Sequence, residues 1–192
     1  MTQKEKIFKN LQKNSIEKTM PLPVIENFGI VFEDTVSAFK EAVSKVGAEV
    51  VETNWESLEL EVTRLYPDAK NIANLVDSKL TSFDSSTSTP HELRDLDLSI
   101  IKGHFGVAEN GAIWVQEKAN KHPVLYAISE NLIVVLSRND LCSNMHEAYQ
   151  KISFEQCKYG VFISGPSKTA DIEQSLVIGA HGAKSLYIFL VD

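Results

Sequence analysis

Helical and strand patterns alternate along the first part of the chain, and this alternation constrains the fold more than any other feature. Asp34 is a plausible N-cap before apolar residues at helical spacing, and Gly47 marks the end of that helix. Residues 48–52 then have the pattern of a strand, a second helix follows, and residues 71–76 favour another strand. Strand, helix and strand at this spacing predict a parallel α/β unit. The apolar residues are Val36, Phe39, Val43 and Val46 in the first helix, and Trp55, Leu58, Val62 and Leu65 in a second helix capped by Asn54.

Short apolar runs follow in the second half of the chain, too closely spaced for a helix between each pair. Residues 97–101, 112–115, 123–128 and 131–136 have strand patterns, and residues 139–152 favour a helix. The last two strands are predicted at 160–164 and 185–191. The sequence therefore predicts an α/β fold, a single domain whose mixed sheet is flanked by helices, wound parallel at first and extended by antiparallel strands in the middle.

The chain is organised as one domain with an amino-terminal extension. Residues 4–18 pattern as a helix, and the proline-containing stretch that follows is a connector. We therefore expect residues 1–27 to form a helix and connector, and residues 28–192 to form the core. Residues 81–95 are rich in serine and threonine, which fits either a surface loop or a flap over a site, and the sequence does not choose between the two.

Charge and hydropathy exclude several classes of partner. The formal net charge is -7, which argues against a nucleic acid or an anionic membrane as the main partner, because both need a basic face. The longest aliphatic run, at 132–136, is too short to cross a bilayer, so no membrane insertion is expected. The amino terminus lacks the apolar stretch of a secretory signal, so a cytoplasmic protein is expected.

The two cysteines, Cys142 and Cys157, do not have the spacing of a metal site. A zinc site needs paired ligands and an iron–sulfur cluster needs four thiolates, so both residues are expected to be free thiols in a reducing compartment. We expect no metal site and no cofactor in this chain.

The turn GVAENG, at 106–111, is the first candidate for chemistry. Gly106 and Gly111 permit backbone geometry that other residues resist, and they would place Glu109 and Asn110 at an exposed turn between strands. The Glu109 carboxylate would then be presented as a nucleophile, a base or a ligand. The simpler interpretation is a hairpin with the preferred Asn-Gly turn dipeptide.

The segment from Gly165 to Gly182, GPSKTADIEQSLVIGAHG, is the second candidate. Ser167 or Thr169 is expected to cap a helix whose start could present amides and hydroxyls to an anion. Asp171 and Glu173 follow at once; they argue against a bare phosphate loop and suit the positive end of a helix. At the far end stands His181, either a proton carrier or a structural histidine. Together with the two acids it matches no standard set of metal ligands.

In these two motifs, the chain resembles the LUD-domain proteins of the lactate utilisation protein C group. Members of that group have a Gly-x-Ala-Glu-Thr-Gly turn and a Gly-Pro-Ser-x-Thr-Ala-Asp-Ile-Glu segment that ends in Gly-x-His-Gly-Pro. Two positions depart from this pattern, Asn110 in place of threonine and Ala183 in place of proline. The matching residues are Gly106, Ala108, Glu109 and Gly111 in the turn, and Gly165, Pro166, Ser167, Thr169, Ala170, Asp171, Ile172, Glu173, Gly179, His181 and Gly182 in the segment.

The resemblance implies a fold like that of the NagB, RpiA and CoA-transferase group. It also implies a cluster-free accessory subunit of a system that oxidises L-lactate to pyruvate, whose partner proteins carry the iron–sulfur clusters. We expect the site to handle a small organic acid or another small ligand, with Glu109 and His181 as catalytic groups. The expected ligand-binding residues are Gly106, Asn110, Gly111, Gly165, Ser167, Thr169, Asp171 and Glu173.

An alternative function follows from the turn itself. Glu109-Asn110-Gly111 resembles the nucleophile turn of the CoA transferases, whose carboxylate could form an acyl anhydride with a thioester. The chain would then be a stand-alone CoA-transferase-like enzyme, or another small-molecule enzyme that uses Glu109. Whether the protein is an enzyme by itself is left open.

Overall fold

A computed structural model describes most of the chain. The described residues are 2–14, 28–76, 92–116, 123–153, 159–170, 176–179 and 182–192. The α-helices are α1 (Gln3–Lys13), α2 (Thr35–Lys45), α3 (Leu58–Leu65) and α4 (Met145–Lys151). The strands are β1 (Glu49–Glu52), β2 (Ile72–Asn74), β3 (Leu98–Lys102), β4 (Phe105–Val107), β5 (Ala112–Gln116), β6 (Asn131–Ser137), β7 (Leu141–Cys142), β8 (Gly160–Ile163), β9 (Lys168–Ala170), β10 (Leu176–Ile178) and β11 (Ser185–Val191). Short 3-10 helices span Glu92–Asp95, Pro123–Tyr126 and Arg138–Asp140.

The described strands form one wholly parallel sheet and one mixed sheet, in which the β4-β7 pair is parallel. The five-stranded sheet has the order β1-β11-β6-β3-β2, and every pair in it is parallel. The four-stranded sheet has the order β7-β4-β5-β8, with antiparallel β4-β5 and β5-β8 pairs. Strands β9 and β10 form a separate antiparallel hairpin. The α/β prediction is confirmed, and the structure adds that the central strands 105–107 and 112–116 leave the parallel sheet to form their own.

Apolar side chains on both faces of the five-stranded sheet explain its position in the core. On one face, Leu58 and Val62 of α3 pack against the sheet. On the other, Phe39 and Val43 of α2 pack with Ile113 of the four-stranded sheet. The far side of the four-stranded sheet is covered by α4, with Trp114 and Ala148 among the packed residues. A parallel sheet needs such cover on both faces because its strands are apolar throughout.

The helix α2 forms as its sequence predicts. The Asp34 side chain accepts a hydrogen bond from the Ser37 amide at 3.0 Å, which caps the first turn. Phe39 and Val43 are fully buried one turn apart. The helix ends at Gly47, whose φ of 83° is a left-handed conformation that favours glycine. Gly111 and Gly165, one from each motif, both pack against this helix.

Three predicted elements differ from the structure. Residues 123–128, predicted as a strand, contain the 3-10 helix Pro123–Tyr126, because Leu125 is buried against Leu93 and Leu96 instead of joining a sheet. The helix predicted from residue 139 begins only at Met145, since Leu141–Cys142 pairs with β4. The helix predicted from Asn54 begins at Leu58, and Asn54 instead accepts a hydrogen bond from the Ser57 amide in the turn before it.

The amino-terminal helix is confirmed over Gln3–Lys13, and the rest of its predicted span, with the connector at 20–26, lies outside the described residues. Most of the 81–95 loop also lies outside them; its last residues form a 3-10 helix. Over the described part of the chain, no helix combines the length and apolar character needed to cross a bilayer.

Candidate functional site

The turn at 106–111 is a hairpin whose polar groups are used inside the fold. Asn110 Oδ1 accepts a hydrogen bond from the Ala112 amide at 3.0 Å, and the Gly111 amide donates to Val107 O at 2.9 Å. Gly111 has a φ of 66°, and a Cβ there would lie 2.9 Å from the backbone nitrogen of Val43. Only glycine therefore lets the turn approach the backbone of α2 this closely.

The Glu109 carboxylate holds the start of α4. Its Oε2 accepts a hydrogen bond from the Met145 amide at 2.9 Å, and the Glu109 amide donates to Ser143 O at 3.0 Å. Asn144, the N-cap of α4, accepts from the Glu147 amide at 3.0 Å. A carboxylate at this end of a helix is stabilised by unpaired amide groups and by the helix dipole. The hydrogen bond gives Glu109 a structural role, with the side chain itself exposed to solvent.

The segment 164–168 packs against the last turn of α2. Gly165 has a φ of 78°, and a Cβ there would lie 2.6 Å from Val46 O. The Lys168 ammonium donates to the same carbonyl at 2.6 Å, so it caps the carboxyl end of the helix. Ser164 Oγ donates to Asn110 O at 3.0 Å and so ties this segment to the turn. The two motifs therefore meet at α2.

The helix predicted to start at Ser167 or Thr169 is wrong. Lys168–Ala170 forms β9, which pairs with Leu176–Ile178 in register, so Thr169 lies opposite Val177. The Ser167 backbone is fixed from both sides, because its amide donates to Ala183 O at 2.8 Å and its carbonyl accepts from the Gly179 amide at 3.0 Å. Pairing of β9 with β10 outweighs the capping preference of serine and threonine here. An anion site at a helix start is therefore excluded at this position.

The structure brings only part of the predicted site together. The Asn110 carbonyl accepts a hydrogen bond from the Ser164 hydroxyl, and Gly111 and Gly165 both pack against α2. Glu109 instead turns toward α4, on the other side of the four-stranded sheet. Gly106 is a buried residue of β4 whose carbonyl accepts from Cys142 Sγ at 3.4 Å. Asp171, Glu173 and His181 lie outside the described residues.

A cleft lies beside the segment, and neither motif predicts its floor. It has a volume of about 620 Å³; Ser164 and Ser167 line one side, and Leu132 and Leu186 lie near the amino ends of β6 and β11. A larger depression of about 1030 Å³ continues from it, since Ala127 and Gly182 line both. The segment follows the carboxyl end of β8, yet the cleft that it lines opens at the amino edge of the parallel sheet.

Sequence reasoning missed several residues of this continuous cleft. Lys45 and Lys168 line the smaller part, and Lys184 lines the larger part, where its ammonium contacts Glu130 at 2.5 Å. Tyr159 stacks on Tyr126 with ring centroids 6.3 Å apart and forms another part of the wall. Lys168 and Lys184 lie within and just after the recognised motif, so their position was a usable signal. Nothing local marked Tyr159.

His104 lies just before the turn in sequence, at the opposite end of β4 from Glu109. Its Nδ1 is buried without a hydrogen-bond partner within the described part of the chain. Burial lowers the pKa of this imidazole, and the nearby Lys102 charge adds to the effect. Among the described residues, no three His, Cys, Asp or Glu side chains are grouped as a metal site would require.

Comparison with known proteins decides the family. The profile of the LUD domain matches residues 4–191, which is nearly the whole chain. The chain belongs to the LUD domain family. The resemblance inferred from the two motifs is thereby confirmed.

Two curated relatives of this LUD domain are both named lactate utilization protein C. Lactate utilization protein C of Bacillus pumilus is 28% identical over 122 residues, which cover 59% of this chain and 51% of that protein. The protein of the same name from Halalkalibacterium halodurans is 22% identical, with 83% of this chain and 80% of that protein covered. In the first of these alignments the LUD domain spans about half the length of its curated relative.

A solved structure supports the fold. The crystal structure of a DUF162 family protein from Deinococcus radiodurans is similar to this LUD domain with a TM-score of 0.62 and 14% identity. The similarity covers 82% of this chain and 96% of that one. At this identity the comparison shows the shared α/β fold alone.

Proposed function

We infer that this LUD domain is a cluster-free subunit of a lactate utilisation system, in which L-lactate is oxidised to pyruvate with iron–sulfur partner proteins. The similarity to proteins named lactate utilization protein C supports this role. Oxidation of lactate releases two electrons and two protons. In the proposal the partners accept the electrons, and this chain handles a small organic acid or another small ligand.

The observation that carries ligand handling is the continuous cleft along residues 164–168 and 182–184. A pocket of several hundred cubic ångströms with a few polar groups on an apolar floor is typical of small-molecule sites. Here Leu132 and Leu186 supply the apolar floor, and Ser164 and Ser167 supply hydroxyls. The wall is built from the segment that identifies the family.

The chemistry of the wall suits a carboxylate. Lys168 brings positive charge to the smaller part of the cleft, and serine hydroxyls donate hydrogen bonds to carboxylate oxygens. Lys45 also lines this part, with its ammonium 2.6 Å from the Glu41 carboxylate. Ser167 is held by two backbone hydrogen bonds, so its side chain presents a fixed position to a ligand. We therefore place the acid between the serines and the lysines.

The catalytic roles of Glu109 and His181 stay predictions. Glu109 has one carboxylate oxygen bound to the Met145 amide, and its exposed side chain remains accessible to solvent. The alternative function, a CoA-transferase-like enzyme with Glu109 as nucleophile, also stays a prediction. Thr169, Asp171 and Glu173 belong to the same segment as Ser167 and are kept as proposed ligand-binding residues.

Two experiments test the proposal. In the first, tagged protein is purified from lactate-grown cells; co-purification of iron–sulfur proteins is expected, and loss of growth on L-lactate is expected on deletion of the gene. In the second, amide chemical shifts are followed while L-lactate or pyruvate is added to the isolated protein. Shifts confined to residues 164–168 and 182–184 are expected.

A test variant and a matched control variant each remove one hydroxyl. Ser167→Ala removes a cleft hydroxyl and is expected to weaken binding about fivefold to tenfold, the usual effect of one hydrogen bond. Thr63→Val removes a hydroxyl on α3, at the other face of the sheet, and should leave binding unchanged. Equal effects of the two variants, or shifts remote from the cleft, would contradict the site. Absence of any iron–sulfur partner would contradict the role.

A further inference from the structure

The helix α1 has an apolar stripe that stands exposed among the described residues. Ile7, Phe8 and Leu11 lie on one side of the helix and are 55–61% exposed, and no residue of α1 is buried. The helix has a capping box formed by Thr2 and Glu5, so its start is well defined. A lone helix shorter than about 12–15 residues is only marginally stable in water. The helix is therefore expected to be stabilised by a partner surface.

A second exposed apolar surface among the described residues lies where the core begins. We name it the α4 patch, and it consists of Phe28, Ile30, Val31 and Tyr149, which are 58–75% exposed. The patch is held to the body at several points. Asn144 Nδ2 donates to Ile30 O at 3.0 Å, and the Phe28 ring contacts the His146 ring edge-on at 4.8 Å. It is therefore a fixed surface that a partner could bind without first ordering it.

Charge favours pairing of the helix with the body. Four lysines and one glutamate give α1 a net charge of +3, so the net charge of -7 for the whole chain leaves -10 on the remaining residues. Exposed acids border the α4 patch, among them Glu33, Asp34 and Glu109. A basic helix is attracted to this acidic body, whereas an anionic membrane would repel the body.

We propose that α1 of one molecule docks on the α4 patch of a second molecule, and that the exchange is reciprocal. Ile7, Phe8 and Leu11 would cover the patch, and the two contacts would be related by a twofold axis, as in most homodimers. Residues 15–27, which join α1 to the core, can span at most about 40 Å when fully extended, which is enough to reach a neighbouring molecule. The proposal is independent of the proposed lactate role.

The oligomeric state provides the first test. Sedimentation velocity on the full chain should show a concentration-dependent dimer. Leu11→Asp puts a charge in the stripe and should weaken dimerisation by about tenfold or more. Asn10→Asp adds the same charge beside the stripe, and its effect should be much smaller. Val31→Asp in the α4 patch should match Leu11→Asp, whereas Leu60→Asp, at an exposed apolar site on α3, should have no effect.

A cross-linking test separates exchange from docking within one chain. In a Cys157→Ser background, one preparation contains Leu11→Cys and a second contains Val31→Cys; Cys142 is buried. After the two are mixed and oxidised, a cross-linked dimer is expected in the mixture, with little in either preparation alone. A monomer at every concentration would overturn the proposal. So would a cross-link that forms only when both cysteines are in one chain, or Leu11-dependent binding to anionic vesicles without a dimer.

Discussion

The turn at 109–111 and the segment at 164–168 both identify the family, yet they differ in what their polar groups do. In the turn, Glu109 and Asn110 side chains accept hydrogen bonds from backbone amides of the same molecule. In the segment, Ser164 and Ser167 line a cleft. A family motif therefore marks residues that matter to the family, and only their contacts show whether they hold the fold together or line a cleft.

The largest expected effect is that of Gly165→Ala. A left-handed backbone at an alanine costs about 1 kcal/mol, and overlap with the Val46 carbonyl adds to this, so the variant should lose about 2–4 kcal/mol of unfolding free energy. Urea denaturation measures it. Gly47→Ala is the matched control, since its φ of 83° is similar but its Cβ would meet only the far end of the flexible Lys168 side chain. Similar losses in both variants would show that contact with α2 does not explain the glycine.

A smaller effect is expected for Glu109→Ala. Loss of the hydrogen bond to the Met145 amide should lower the unfolding free energy by about 1 kcal/mol, as for other helix caps. Glu33→Ala, at an exposed acid without that hydrogen bond, should change it by less than about 0.5 kcal/mol.

A trapping experiment tests whether Glu109 is a nucleophile rather than a structural group of the turn. The protein is incubated with acyl-CoA and then hydroxylamine, and Glu109 is analysed by mass spectrometry. We expect an unmodified carboxylate if the turn is structural. A hydroxamate on Glu109 would support the CoA-transferase-like alternative and would show that the turn has a catalytic role.

Ser164→Ala tests the contact that joins the two regions. The Ser164 hydroxyl donates to Asn110 O across an exposed boundary, so its loss should cost about 0.5 kcal/mol. A loss above about 2 kcal/mol would mean that the segment and the turn form one cooperative unit.

The smallest effect concerns pH. Burial lowers the pKa of His104 below its usual value near 6.5, so the unfolded state binds the proton more readily. The stability of the protein should therefore fall as the pH drops from about 6.5 toward the lowered pKa, and it should stay constant above that window. In His104→Gln, chemical denaturation at pH 7 and pH 5 should show a smaller difference. An unchanged difference would assign the pH dependence to other groups.

Local sequence signals predicted those elements that depend on local chemistry. The cap at Asp34, the stop at Gly47 and the Asn-Gly hairpin were all predicted, because capping and left-handed glycine act over a few residues. The helix expected at Ser167 failed because β9 gains its hydrogen bonds from β10, which local propensity does not include. The 3-10 helix at 123–126 was missed for a similar reason, since burial of Leu125 decides it.

The α/β class and the family could be predicted from the sequence alone, because apolar periodicity and the two motifs depend only on which residues follow one another. The folded structure was needed to show that β4, β5, β7 and β8 form a sheet apart from the five parallel strands, that Glu109 turns to α4, and that Ser167 lines a cleft. Each of these depends on pairing between residues far apart in the chain. Such pairing is selected by burial and backbone hydrogen bonds summed over the whole fold.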